Sequence, residues 1–260
     1  MTSPTEGPAI EERLRQLFLF HIAGHLPELL TTAARDNLSH RDFLERCLDI
    51  EQTARYNARV KRLLREAHFP AIKTIDTFDW SHPTSVPKQR ILQAFDLDFV
   101  RHKEHLIFVG PGGVGKTHLA ISLGVAACQG GIRTLYTTAA DMINTLVAAQ
   151  ADLSVGRALK KYTAPALLVL DELGYLPLDK QGRDLFFQVI SKRAETGSVI
   201  LTTNKAFKDW GEVFLDNAVA TAIAERLTEH GDLIKIEGGS YRIKKRRQKS
   251  LGLDALESNT

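Results

Sequence analysis

The sequence predicts an α/β protein, a parallel sheet flanked by helices on both faces and preceded by a small all-helical N-terminal domain. Three observations carry this. Five short apolar runs, Leu106–Gly110, Thr134–Thr138, Ala166–Asp171, Ser198–Asn204 and Leu233–Glu237, are rich in β-branched residues and read as strands. Helical stretches separate the first four, and continuously apolar strands between amphipathic helices mark a sheet buried on both sides. Ahead of them, residues 10–66 read as helical, and a stretch containing three prolines follows.

In chain order, the first long helix is expected from about 40 to 66. Ser39 followed by Asp42 resembles a capping box, and Phe43, Leu44, Cys47 and Leu48 then recur at helical spacing. Later in the same helix Arg55, Arg59 and Arg62 form a basic stripe, with Lys61 and Arg65 nearby. It reads as a solvated face or as a surface for DNA or a partner. Residues 69–87 read as a linker, and residues 88–105 resume as a helix before the first strand. The domains expected are 1–68, a helical domain for partner or oligomer contacts; 69–87, a linker; 88–243, the sheet domain; and 244–260, a basic then polar tail.

With 260 residues, 43% hydrophobic and 25% charged, the chain is a globular protein rather than a disordered or disulfide-stapled one. No apolar run reaches the roughly 20 residues that cross a bilayer, and the N-terminus lacks the order of a signal peptide, so a cytoplasmic location is expected. Cys47 and Cys128 stand far apart without a CxxC, which excludes a disulfide framework or a zinc site from the expectation. The net charge of +3 is uneven. Residues 241–249 hold six Lys and Arg and no acid, leaving 28 cations against 31 anions elsewhere, a net of −3. Such a cluster either binds nucleic acid by releasing counterions or is a solvated tail.

The sharpest motif runs from Gly110 through Pro111, Gly112, Gly113, Val114, Gly115 and Lys116 to Thr117, matching GxxxxGK[ST] between the strand LIFVG and the helix that His118 opens. Glycines let backbone N–H groups turn toward phosphate oxygens, and the helix N-terminus favours the anion. Lys116 would reach the β- and γ-phosphates of ATP, and Thr117 would give its hydroxyl to Mg2+. An apolar strand then delivers Asp171 and Glu172 at its carboxyl end. Adjacent side chains diverge there, so Asp171 can hold the Mg2+ shell while Glu172 polarises an attacking water. A second acid directly after the first favours hydrolysis over transfer to another acceptor. The strand Val199–Thr203 ends in Asn204, whose amide can sense the γ-phosphate. Downstream, Asp216 can cap a helix that Gly231 ends, placing Arg226 near its last turns, and Arg242 follows a Gly-Gly turn. A guanidinium suits phosphate, although spacing alone leaves both arginines facing solvent.

GPGGVGKTHLA, LLVLDELGYLP, ILTTN followed by Trp210, and AERL with GGSYR resemble the IstB-type ATPases that assist insertion-sequence transposases, relatives of the helicase loader DnaC. The similarity spans about residues 69–243, and FPAIKTIDTFDW resembles the segment preceding the nucleotide module in that group. The resemblance implies an AAA+ P-loop NTPase whose subunits form a homo-oligomer with shared ATP sites, Arg226 looking like the finger supplied to a neighbour and Arg242 like the second sensor. It implies ATP-bound assembly on double-stranded DNA, deformation of that DNA, and recruitment and stimulation of a cognate transposase. It also implies nucleic-acid contacts near Arg157, Lys160 and Lys161. The extra basic tail, Lys244, Lys245, Arg246 and Arg247, is a departure whose role the resemblance leaves open. A DnaC-like replicative helicase loader is the alternative, and GYLP after the acid pair favours the transposition helper. A P-loop small-molecule kinase would need an acceptor pocket and a mobile lid, which neither the acid pair nor the TTN strand fits.

Overall fold

The computed structural model describes residues 9–82, 85–175 and 177–244. The chain forms two compact units that divide after Arg62.

The first unit contains α1 (Ile10–Gln16), α2 (Phe20–Arg35) and most of α3 (His40–Glu66). Ser39 caps α3 as its sequence indicates: the Asp42 N–H donates to Ser39 Oγ at 3.2 Å, and Ser39 Oγ donates to Asp42 Oδ2 at 2.7 Å. The unit's small core is Ile22, Leu29 and Cys47 with Leu14, Leu19, Phe43 and Ile50 against it. Leu44 and Leu48 stay exposed, so the apolar stripe of α3 is only partly used. The buried Glu51 carboxylate accepts the N–H groups of His21 and Ile22 in the first turn of α2, and also Arg55 Nε at 2.8 Å. Arg55 is therefore committed within the unit and does not belong to a free basic stripe.

The unit boundary falls six residues before the one expected at 68, because Leu63 and Ala67 bury against Cys128. Residues 69–82 and 85–87 are not a loose linker. Phe78 is buried, and Phe69, Ile75, Trp80 and Val86 pack into one sheet-face core. Ser85 and Glu237 pair as an antiparallel bridge. The expected helix over 88–105 is broken into α4 (Lys88–Gln93), a 3-10 turn and α5 (Asp98–Arg101), because Leu97 takes φ +60°.

The sheet comprises β1 (His105–Val109), β2 (Thr134–Thr138), β3 (Leu167–Leu173), β4 (Ser198–Thr203) and β5 (Gly231–Lys235), all parallel in the order β2-β3-β4-β1-β5. Its strands alternate between two cores. Ile107, Leu168, Leu170, Val199 and Leu201 face α7 (Ala139–Ala151), α9 (Lys180–Arg193), α10 (Trp210–Phe214) and α11 (Asn217–Glu229). Leu106, Phe108, Leu167, Val169 and Ile200 face α6 (Lys116–Gln129) and the residues before β1. Burial on both faces is why the strands carry unbroken apolar runs. The amphipathic α8 (Val155–Thr163) buries Leu159 and Tyr162 against the first of these cores. Asp216 caps α11 through the N–H groups of Ala218 and Val219.

Candidate nucleotide-binding site

The loop between β1 and α6 turns on two glycines at positive φ, Gly113 at +82° and Gly115 at +101°. A Cβ at Gly115 would lie 2.6 Å from the Phe78 ring, so this position needs glycine for its backbone and for the close approach of the preceding segment. Gly110 is pressed similarly under the Ile236 carbonyl, 2.1 Å from where a Cβ would stand. Lys116 begins α6 with its side chain buried, and Nζ donates to the carbonyls of Gly110 at 2.7 Å and Pro111 at 2.8 Å. Burial pushes its ammonium below the ordinary lysine range, opposed first by the Asp171 carboxylate.

Asp171 is buried at the carboxyl end of β3 and held from α6 and from the strands on either side, β2 and β4. Oδ1 accepts Thr117 Oγ1 at 3.0 Å and Thr202 Oγ1, while Oδ2 accepts the Tyr136 hydroxyl at 2.8 Å. Burial, and next the Asp171 charge, keep Tyr136 protonated as a donor far above the ordinary tyrosine range. The β3–β4 register shifts here. Leu170 pairs with Leu201 but Leu173 with Thr203, so Asp171 and Glu172 together oppose Thr202. The bulge puts Glu172 at φ +64°, its N–H donating to Thr202 Oγ1 at 3.0 Å and its carboxylate exposed. The divergence of the acid pair expected from strand alternation is thus achieved by an irregularity in the strand, which costs about 1–2 kcal/mol for a residue with a Cβ.

A cavity of about 370 Å3 opens over this arrangement. Gly113, Val114, Gly115, Lys116, Thr117, His118, Glu172 and Arg242 line it, with Tyr175, Thr202, Thr203 and Tyr241. Gly110, Pro111 and Gly112 belong to the loop but are not in the lining. Asn204 does not line the cavity; it is exposed beyond β4, its Oδ1 3.3 Å from where a Gly174 Cβ would stand. Arg226 does not line it either. Its guanidinium lies 4.6 Å from the Phe187 ring centre and donates to Ala222 O at 3.2 Å. Arg242 is brought in because the Tyr241 N–H donates to Gly113 O at 2.9 Å. Lys244, assigned to a basic tail, sits 3.7 Å from Asp79 instead. Arg157, Lys160 and Lys161 are exposed on α8. Lys245, Arg246 and Arg247 lie outside the described residues.

Sequence reasoning missed Tyr136 and Thr202, and missed Lys73, Thr77, Phe78, Asp79 and His82, which supply one wall of the cavity. His118 ties that wall to α6, with Nε2 3.0 Å from Thr74 O and its ring edge-on to Phe78. One signal was available: three aromatic residues within Phe69–Trp80 are dense for a tether. For Tyr136 and Thr202 there was none, since each is an ordinary strand residue until the sheet sets it beside Asp171.

A glycine loop opening a helix between two strands of a parallel sheet, with a buried aspartate on the strand beyond and an acid displayed next to it, defines a P-loop nucleotide-binding protein, and the strand order β2-β3-β4-β1-β5 belongs to its AAA+ class. The family described as IstB-like ATP binding protein matches residues 12–249, and the chain belongs to it. It is 38% identical over 239 residues to an insertion sequence IS21 putative ATP-binding protein of Pseudomonas aeruginosa, covering 92% of this chain and 90% of that one. Its identity to an insertion sequence IS5376 putative ATP-binding protein of Geobacillus stearothermophilus is 37%, covering 92% and 95%. Among solved structures, a DnaC helicase loader superposes with a TM-score of 0.52 at 29% identity, over 63% of this chain and 96% of that one. AMPPCP-bound DnaA from Aquifex aeolicus shares the fold, with a TM-score of 0.54 at 22% identity over 65% and 51%.

Proposed function

We propose that this chain is a DNA-linked ATPase that assembles on duplex target DNA with ATP, deforms it, and recruits and stimulates the transposase of its insertion sequence. The observation that carries the hydrolytic part is the joint placement of Thr117, Asp171 and Glu172: a hydroxyl and a carboxylate oxygen 3.0 Å apart, with a second carboxylate turned outward into the cavity beside them. Thr117 Oγ1 and Asp171 Oδ1 are hard oxygen donors and fit Mg2+, which when bound supplies positive charge to the phosphates. Gly110–Gly115 and the N-terminus of α6 bind the phosphate chain, and Lys116 counters its charge. Glu172 orients a water toward the γ-phosphorus and accepts its proton as the bond to the bridging oxygen of ADP breaks. Arg242 reads the phosphates from the same cavity. Arg226, held on Phe187 away from its own cavity, acts on a neighbouring subunit's nucleotide. The N-terminal helical unit supplies contacts to partners.

Glu172→Gln tests this reading. The variant binds Mg·ATP with little change, loses hydrolysis, and accumulates the DNA-bound oligomer in a gel-shift assay. Loss of ATP binding would make Glu172 a structural or metal residue and remove it as the base. The likeness to the DnaC helicase loader supports a second reading, in which single-stranded DNA and a helicase ring are the partners. Comparing duplex with single-strand binding in ATP separates the two.

A further inference from the structure

The arginines of the second unit differ in what holds them. Arg90, Arg101 and Arg183 pair with aspartates. Arg193 is fully buried and donates to the carbonyls of Tyr162, Pro165, Ala166 and Ser198. Arg226 rests on Phe187, and Arg242 enters the nucleotide cavity. Among the described residues of that unit, Arg65, Arg133 and Arg157 remain. All three are exposed, and among the described residues none of their side chains has a hydrogen bond, an ion pair or a ring contact.

Two of them meet at one end of the sheet. Arg65, in the last turn of α3, and Arg133, directly before β2, line an open hollow of about 310 Å3 with His68 and Lys161, where Glu66 is the single acid. Arg157 precedes Lys161 by four residues on α8, so the two share a helix face, and Lys160 is exposed beside them. Because β2 and β3 begin here and end at the Asp171 cluster, the hollow lies at the sheet edge opposite the nucleotide cavity.

Cations around a common hollow repel one another, and a concave wall focuses their field outward. A guanidinium without a carboxylate still presents its fork of donors, which matches phosphate oxygens. The cations also extend along α8 from Arg157 to Lys161, about 6 Å of its axis, and with the hollow they offer more positive groups than one small anion would use. Duplex DNA, with one negative charge per ~1.7 Å of axis, meets such an extended surface at several points.

We propose that Arg65 and Arg133 join Arg157, Lys160 and Lys161 in one surface that binds the phosphodiester backbone of duplex DNA, on the sheet edge opposite ATP. This rests on the DNA-assembled reading above and adds a specific surface to it, outside both the nucleotide cavity and the basic tail.

The test uses the full chain with ATP and Mg2+, a fluorescently labelled mixed-sequence duplex, and binding measured by anisotropy across a salt series. Arg65→Ala/Arg133→Ala flattens the slope of log affinity against log salt by up to roughly 0.9 per lost contact, while titration with a fluorescent ATP analogue is unchanged. Arg65→Lys/Arg133→Lys keeps the charges and holds the slope near that of the parent. An alanine double variant with the parent's slope overturns the surface and leaves DNA binding elsewhere. A lysine double variant as flat as the alanine one overturns it as well, since lost charge is then not the cause. Loss of binding to an acidic protein partner with the DNA slope intact assigns the surface to that partner and overturns the proposal. A parent chain that binds no duplex defeats the functional reading itself, an outcome distinct from the other three.

Discussion

Replacing Thr202 by Val keeps the shape of a buried side chain and removes the one hydroxyl that serves both acids. That hydroxyl donates to Asp171 Oδ1 and accepts the Glu172 N–H at 3.0 Å, and Thr202 is 1% exposed, so water cannot replace it. A hydrogen bond to a charged group contributes about 1.5–3 kcal/mol, and a buried N–H left unpaired costs about 1–3 kcal/mol. The lower ends apply, because Asp171 keeps Thr117 and Tyr136 as donors. Thr202→Val should therefore destabilise the sheet unit by roughly 2–3 kcal/mol, visible in urea as a lower midpoint with an unchanged slope. The same N–H helps to keep Glu172 at φ +64°, so its release lets the carboxylate leave its position. Turnover should fall at least about tenfold, equivalent to ~1.4 kcal/mol of barrier, with nucleotide affinity changed much less. Thr202→Ser restores the hydroxyl and should recover turnover. A Val variant as stable and as fast as the parent would refute the claim that Thr202 organises the acid pair.

Gly115→Ala should weaken nucleotide binding and destabilise the fold, since its Cβ meets Phe78 and its φ of +101° disfavours any Cβ; adding Phe78→Ala should relieve only the first fault, as nucleotide titration will show. Tyr136→Phe should raise the Mg2+ concentration needed to tighten ATP binding, with metal-free nucleotide affinity unchanged; an unaltered Mg2+ dependence would leave Tyr136 a packing residue. His105 is buried with its pKa pushed down to about 4, by burial first and then by the Arg193 and His230 charges, against 6.5 unfolded. The unfolded chain takes this proton first, so stability is full above pH 6.5 and is lost as pH falls toward 4, by up to ~3 kcal/mol; His105→Gln should flatten that limb in urea titrations run at several pH values. Arg226→Ala and Lys116→Ala, each nearly inactive alone, should regain partial ATP turnover when mixed with DNA, since a finger acting in trans lets an intact loop meet an intact arginine. Absence of recovery despite co-sedimentation would place Arg226 within its own subunit or in the fold alone.

Much of this protein is determined locally. Apolar strands alternating with helices specify a parallel sheet covered on both faces, and Gly110–Thr117 is legible because phosphate binding needs glycines, a lysine and a hydroxyl at adjacent positions on a single loop. The acid pair is legible because its two carboxylates are adjacent at the end of one apolar strand, and the caps Ser39 and Asp216 because each is a chemical group beside the backbone it serves. Interactions between distant segments were decided by tertiary structure alone. Residues expected to be a linker became a wall of the cavity, because Phe78 finds the space that Gly115 leaves. The stripe of α3 lost Arg55 to a carboxylate that the start of α2 had already claimed. Asp171 gained Tyr136 and Thr202 from neighbouring strands, and Glu172 turned outward through a register shift that no residue pattern announces. Arg65, Arg133 and Lys161 are far apart in the chain, and nothing in their neighbours marks them as a group. They share a surface because parallel strands place their beginnings at one edge of the sheet and their ends, with the nucleotide loop, at the other.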